Sequence, residues 1–153
     1  MIGNVLSLVT AESCTGGWLA KCCTDLAGSS AWFDRGFVTY SNEAKLSDLN
    51  VPDDTITQFG AVSEKTAIAM AEGALFKSKA TLSVAITGIA GPGGATDTKP
   101  VGTVCFAFAV SGEKTHSVTH QFKGSRDNVR RQALVIALEG IIKNARGTAH
   151  SMG

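Results

Sequence analysis

A serine and a cysteine stand side by side in the stretch Ala11-Glu12-Ser13-Cys14-Thr15-Gly16-Gly17, between an apolar run and the start of a helical pattern. A small nucleophile at a strand-to-helix turn suits acyl transfer, because the glycines permit a tight bend and close approach of a substrate. N–H groups at the start of the following helix are expected to hold the oxyanion as a carbonyl becomes tetrahedral. The same residues also suit simple capping, with Ser13 or Thr15 as the cap and the glycines as turn residues.

The two nucleophiles need different activation. Cys14 is intrinsically the better one, but its thiol must be helped to ionise, by a histidine or another device. The histidines are His116, His120 and His150. The first two alternate along a late strand and read as a solvated face, the third lies near the end, and none has an obvious Asn or Asp partner. Ser13 instead needs a general base, and lysine serves when neutral. In Tyr40-Ser41-Asn42-Glu43-Ala44-Lys45, Lys45 falls in the first turn of a helix begun at Asn42. The positive end of the helix dipole disfavours a protonated amine there, and burial would disfavour it further. Most helix lysines are solvated, and that bland alternative stands beside the catalytic one. Tyr40 is the only tyrosine; at a strand end its phenol suits either proton relay or packing.

Two further segments have chemical content. Thr87-Gly88-Ile89-Ala90-Gly91-Pro92-Gly93-Gly94 is rich in glycine, but no Lys-Ser or Lys-Thr pair follows and no helix does, so it is not a nucleotide P-loop. It reads as a wall with exposed backbone donors. In Gly124-Ser125-Arg126-Asp127-Asn128-Val129-Arg130-Arg131, Ser125 caps a helix and Arg126 and Arg130 share one face. Two guanidinium groups beside a helix N-terminus suit a phosphate, while the residues alone favour a surface ion-pair face using Asp127 and Glu139 among others.

These residues need a scaffold. Residues 5–11 read as a buried strand, 12–17 as a turn, 18–26 as a helix closed by Gly28, and 35–40 as a second strand. Helices are expected over 42–49, 52–60 and 64–77, with Ser41 and Ser63 as caps. Strands follow over 82–87, 102–110 and 115–121, the last two joined around Ser111 and Gly112. A final helix runs over about 125–145, and 147–153 reads as a loose, flexible tail, leaving 1–146 as a single domain. Helices between early strands imply parallel pairing, and the late hairpin adds antiparallel strands. The expected fold is α/β, a three-layer α/β/α sandwich on a mixed sheet of about five strands. Sites in such sheets lie beyond the carboxyl ends of strands, where loops 12–17, 40–45 and 88–101 would meet.

The 153 residues fit one domain, and a net charge of +1 implies no general attraction to nucleic acid or to acidic membranes. No apolar run approaches the roughly 20 residues of a membrane span, and residues 1–8 lack a charged signal-peptide start. The cysteines Cys14, Cys22, Cys23 and Cys105 form no CxxC pair, so metal binding is not expected and reduced thiols in a cytoplasmic setting are.

Taken together, AESCTGG, AGSSAWFDRGFVTYSNEAK, GAVSE, TGIAGPGG followed by KPVGTV, and GSRDNVRRQA occur in one order. This pattern closely resembles the CinA C-terminal domain family, the bacterial nicotinamide mononucleotide deamidases, from about Val5 to Ala145. The resemblance implies hydrolysis of nicotinamide mononucleotide to nicotinate mononucleotide and ammonia by a Ser/Lys amidohydrolase without cofactor or metal. It places the nucleophile on Ser13, the base on Lys45 and a third participant on Tyr40. Thr15, Gly16, Asn42, Thr87, Gly88 and Gly91 become expected substrate contacts, with Arg126 and Arg130 inferred for the phosphate. Family members usually carry a helix before the first strand, and larger ones an N-terminal domain. With the first strand beginning at Val5, a partner or another packing is expected to cover that surface, or the chain is a shortened form; a homo-oligomer is compatible with either.

Overall fold

The computed structural model describes residues 6–152, as a five-stranded sheet between two layers of helices. Its elements are β1 (Leu8–Glu12), α1 (Trp18–Thr24), a 3₁₀ turn at Ser29–Ala31, β2 (Phe33–Val38), α2 (Asn42–Leu49), α3 (Asp53–Phe59), α4 (Glu64–Phe76), β3 (Leu82–Gly88), β4 (Thr103–Val110), β5 (His116–Gln121) and α5 (Arg126–Met152). The strand order is β2-β1-β3-β4-β5, with β2, β1 and β3 parallel and β4 and β5 antiparallel to their neighbours. The mixed α/β/α sandwich expected from the pattern is the fold.

Strand alternation decides what each face can accept. Leu8, Leu82, Val84, Ile86, Val104, Phe106 and Phe108 pack with Leu19, Cys23, Val129, Ala133 and Leu134 of α1 and α5. The opposite face carries smaller residues: Val9, Ala11, Ala85, Cys105, Ala107 and Ala109 meet Ala67, Met70, Ala71 and Ala74 of α4. Small residues on both sides let α4 lie close to the sheet. Gly73 extends this to α2, because a Cβ there would run into the carbonyl oxygen of Leu49. That close approach fixes α2, and with it Lys45, relative to the sheet.

Two element ends differ from the sequence reading. The second strand is Phe33–Val38 rather than 35–40; Thr39 N–H still bonds the Glu12 carbonyl at 2.9 Å, and the carbonyls of Thr39 and Tyr40 are turned to Lys45. The last helix continues to Met152 where a flexible tail over 147–153 was expected. A single glycine, Gly147, weakens a helix by only about 1 kcal/mol and does not end one. Val5, at the start of the expected first strand, and Gly153 lie outside the described residues. No helix among the described residues is long and apolar enough to cross a membrane.

The edge strand β5 is tied to α4 through a carboxylate. Glu64 accepts from the Ser117 and Thr119 hydroxyls at 2.6 Å each, and these bonds pull its carboxyl below the ordinary value. A lowered folded pKa gives stability that is complete above the unfolded value and fades as pH falls through the folded one. Glu64→Gln is therefore expected to cost about 1 kcal/mol at pH 7, discounted for partial exposure. The difference from wild type should shrink below about pH 4 in urea titrations at stepped pH. Gly73→Ala is expected to cost about 1–3 kcal/mol in the same measurement, through overpacking between α4 and α2.

Candidate active site

The parallel strands β1, β2 and β3 all end at one edge of the sheet, and the chain leaves β1 toward one face and β2 toward the other. A crevice opens where such connections diverge. A cavity of about 290 Å³ lies there, lined by Ser13, Cys14, Tyr40, Asn42, Lys45, Thr87, Gly88, Ala90, Gly91 and Arg126 among others. Its size is at the small end of ligand pockets, about 300–1,000 Å³.

Ser13 begins the turn after β1, with its N–H bound to the Ile86 carbonyl at 2.9 Å. The turn is closed by Gly16 and Gly17, at φ +60° and +100°, a left-handed pair that side chains with a Cβ rarely adopt. Gly17 is the N-cap of α1 and has no side-chain capping bond, so neither Ser13 nor Thr15 is the cap. That work falls to Glu12. Fully buried, its carboxylate accepts from the N–H groups of Leu19 and Ala20 at 2.8 and 3.0 Å.

This corrects the expected oxyanion site at the start of α1. Its donors are occupied by Glu12, while Trp18 N–H bonds the Thr15 carbonyl and Gly16 N–H the Ser13 carbonyl. Residue type and spacing alone assign Glu12 no role. The available signal was an acidic residue at the end of a buried strand just before a helix, where the positive end of the helix favours it.

Lys45 reaches the same point from α2, whose first turn is capped by Ser41. Its side chain is only 1% exposed, and Nζ lies 3.0 Å from Ser13 Oγ. The same nitrogen donates to the Thr39 carbonyl at 2.9 Å and the Tyr40 carbonyl at 3.2 Å. Among the described residues no carboxylate pairs with it. Burial pushes the Lys45 amine below its ordinary pKa, with a small opposing pull from Cys14. The Ser13 hydroxyl in turn donates to the Tyr40 carbonyl at 3.4 Å, so amine, hydroxyl and carbonyl form one cluster.

Cys14 lines the cavity but is 7% exposed, and burial pushes its thiol up to about 11. Little thiolate exists at neutral pH. His116 and His120 sit in a separate groove of about 760 Å³ between β5 and α5, which the Ser13 cavity does not share. Among the described residues no cluster of three or more His, Cys, Asp or Glu side chains is arranged to hold a metal.

The remaining expected residues divide into two groups. Asn42, Thr87, Gly88, Gly91 and Arg126 line the cavity, Thr87 with its hydroxyl bound to the Ala61 carbonyl at 2.8 Å. Arg126 donates to the Gly91 carbonyl at 2.8 Å and to the Tyr40 phenol at 3.2 Å, bridging the glycine loop and the end of β2. Tyr40 thus meets Lys45 through its main-chain oxygen, and its phenol, 62% exposed, faces Arg126 at the cavity mouth. Thr15, Gly16 and Arg130 do not line the cavity. Arg130 donates instead to the carbonyls of Cys14 and Thr15, at 3.1 and 3.2 Å. The alternative ion-pair face is confined to Arg131, which pairs with Asp127 at 2.7 Å.

Comparison with known proteins places this geometry in context. The family model described as the CinA C-terminal domain matches residues 1–145. The chain is 56% identical over 133 residues to the nicotinamide-nucleotide amidohydrolase PncC of Escherichia coli K12, covering 87% of this chain and 81% of that protein. It is 47% identical to the protein of the same name from Pseudomonas putida, covering 89% of this chain and 84% of that one. Among solved structures, the competence/damage inducible protein CihA from Agrobacterium tumefaciens aligns with a TM-score of 0.89 at 47% identity, covering 91% of this chain and 85% of that one. The chain belongs to the CinA C-terminal domain family.

Proposed function

We propose that this protein is a nicotinamide-nucleotide amidase that hydrolyses nicotinamide mononucleotide to nicotinate mononucleotide and ammonia through a Ser13 acyl-enzyme, with Lys45 as general base. The observation that carries the mechanism is the 3.0 Å approach of a buried, unpaired amine to a serine hydroxyl. The substrate reading is supported by the names of the relatives at 56% and 47% identity.

The pyridinium ring of the substrate withdraws electrons and opens its carboxamide carbon to attack. Neutral Lys45 takes the Ser13 proton as Oγ bonds to that carbon, and the carbonyl oxygen becomes an oxyanion. With the Leu19 and Ala20 amides of α1 taken by Glu12, the N–H groups of Cys14, Ala90 and Gly91 line the cavity without an acceptor among the described residues and are the donors available to that oxyanion. The Lys45 ammonium then protonates the departing nitrogen, releasing ammonia. Water attacks the ester, Lys45 again takes the proton, and the acid leaves as Ser13 is regenerated. Arg126 receives the phosphate, since a dianion outcompetes the neutral Gly91 carbonyl and Tyr40 phenol that it meets at rest.

Ammonia release from nicotinamide mononucleotide tests the whole reading. Wild type should turn over, and Ser13→Ala and Lys45→Ala should each lose at least about 100-fold in kcat. Cys14→Ala should stay within about threefold, because its thiol is un-ionised; loss of activity there with retention in Ser13→Ala would move the nucleophile to Cys14. A wild type that binds the nucleotide without releasing ammonia would make the protein a binding module. The pH dependence follows from Lys45. Its lowered pKa means that kcat/KM should rise with pH as the ammonium deprotonates, and level off below the ordinary lysine value of about 10.4.

A further inference from the structure

We infer that Arg130 is a positioning residue for the nucleophile, holding the peptide groups just after Ser13 without touching the substrate. The inference rests on the Ser13–Lys45 reading above and deepens it. Arg130 lies on α5, more than a hundred residues from the turn that it meets. Its Nε and one terminal nitrogen donate to consecutive carbonyls, Cys14 at 3.1 Å and Thr15 at 3.2 Å. Its guanidinium also sits 5.3 Å over the Trp18 ring, and the Gly16 Cα faces it closely enough that an added Cβ would be 3.6 Å from the terminal nitrogen. One planar group therefore meets Cys14, Thr15, Gly16 and Trp18, the residues that follow Ser13 through the turn and into α1.

The turn has three anchors. Ser13 N–H ties its start to β3, the Glu12 carboxylate ties α1 at its far side, and Arg130 ties the middle to α5. Peptide groups are planar, so fixing the Cys14 and Thr15 carbonyls fixes the backbone directions on either side of them. Gly16 and Gly17 would otherwise leave this segment the freest part of the site. Ser13 Oγ is held 3.0 Å from Lys45 Nζ, and a shift of about 1 Å breaks a productive geometry. A phosphate role for Arg130 is disfavoured by the same contacts. Its donors face main-chain oxygens and it does not line the Ser13 cavity, whereas Arg126, one turn earlier, does. Lysine cannot replace it, because one ammonium does not reproduce a fork that bonds two carbonyls while stacking on an indole.

The experiment compares wild type, Arg130→Lys, Arg130→Gln and Arg126→Gln, each well below its own melting midpoint. Three readouts are taken: kcat and KM on nicotinamide mononucleotide, the same constants on the riboside that lacks the phosphate, and the rate at which a small fluorophosphonate labels Ser13. The Arg130 variants should lose about tenfold or more in kcat and in labelling rate, with KM for the nucleotide held within about threefold and the same loss on both substrates. Arg126→Gln should raise KM for the nucleotide only. Arg130 variants that label Ser13 at the wild-type rate, or that raise KM on the phosphate-bearing substrate alone, would overturn the inference. If wild type labels at Ser13 but releases no ammonia from either amide, the substrate reading fails, and the labelling rates still decide the role of Arg130.

Discussion

The site is organised around a lysine amine that has been removed from water and given no carboxylate. A buried ammonium normally takes a counter-ion, because desolvation of an unpaired charge costs several kcal/mol. Lys45 has only the carbonyls of Thr39 and Tyr40, a longer approach to that of Ser41, and the hydroxyl of Ser13. All of these groups are neutral, and among the described residues no carboxylate stabilises the cation. On the proposed mechanism, the same burial that makes Lys45 costly as a cation suits it to act as a base, so stability and chemistry would draw on a single arrangement.

Keeping that amine dry and correctly aimed takes both helical layers. On one side, the small residues of α4 and the sheet allow close packing, and Gly73 brings Leu49 and the rest of α2 against it. On the other, α1 and α5 close over the larger apolar face, with Glu12 and Arg130 tying the Ser13 turn to them. The register of the parallel strands places Glu12 beside Val38 and Ile86, which sets the ends of β1 and β2 level with Ile86, two residues before the end of β3. Ser13, Thr39 and Thr87 then follow directly, and the three loops meet.

Much of this was legible in the chain. Continuous apolar runs and capping residues located the strands and helices, since β1, β3 and β4 are buried on both faces and Ser41 and Ser63 cap as expected. The pairing of Ser13 with Lys45 could be read because a lysine in the first turn of a helix is electrostatically out of place. Less visible were features that depend on tertiary neighbours. The shift of β2 by two residues turned Tyr40 from a phenol donor into a carbonyl acceptor for Lys45. Glu12 removed the α1 amides from the pool of oxyanion donors, and Arg130 faced main-chain oxygens across the fold. Helical spacing put Arg126 and Arg130 on one face but could not reveal that one turn of rise separates a cavity mouth from the back of a loop.

The central claim is that Lys45 is neutral when Ser13 attacks the carboxamide, and the most direct measurement is the titration of its side-chain nitrogen. Lysine labelled with nitrogen-15 would be followed by NMR from pH 6 to 11, with the Lys45 signal assigned by its loss in Lys45→Met. The account predicts that Lys45 takes the shift of a free amine at a pH clearly below that at which the exposed lysines lose their protons, about 10.4. A Lys45 signal that keeps its ammonium shift and titrates with the exposed lysines would contradict it.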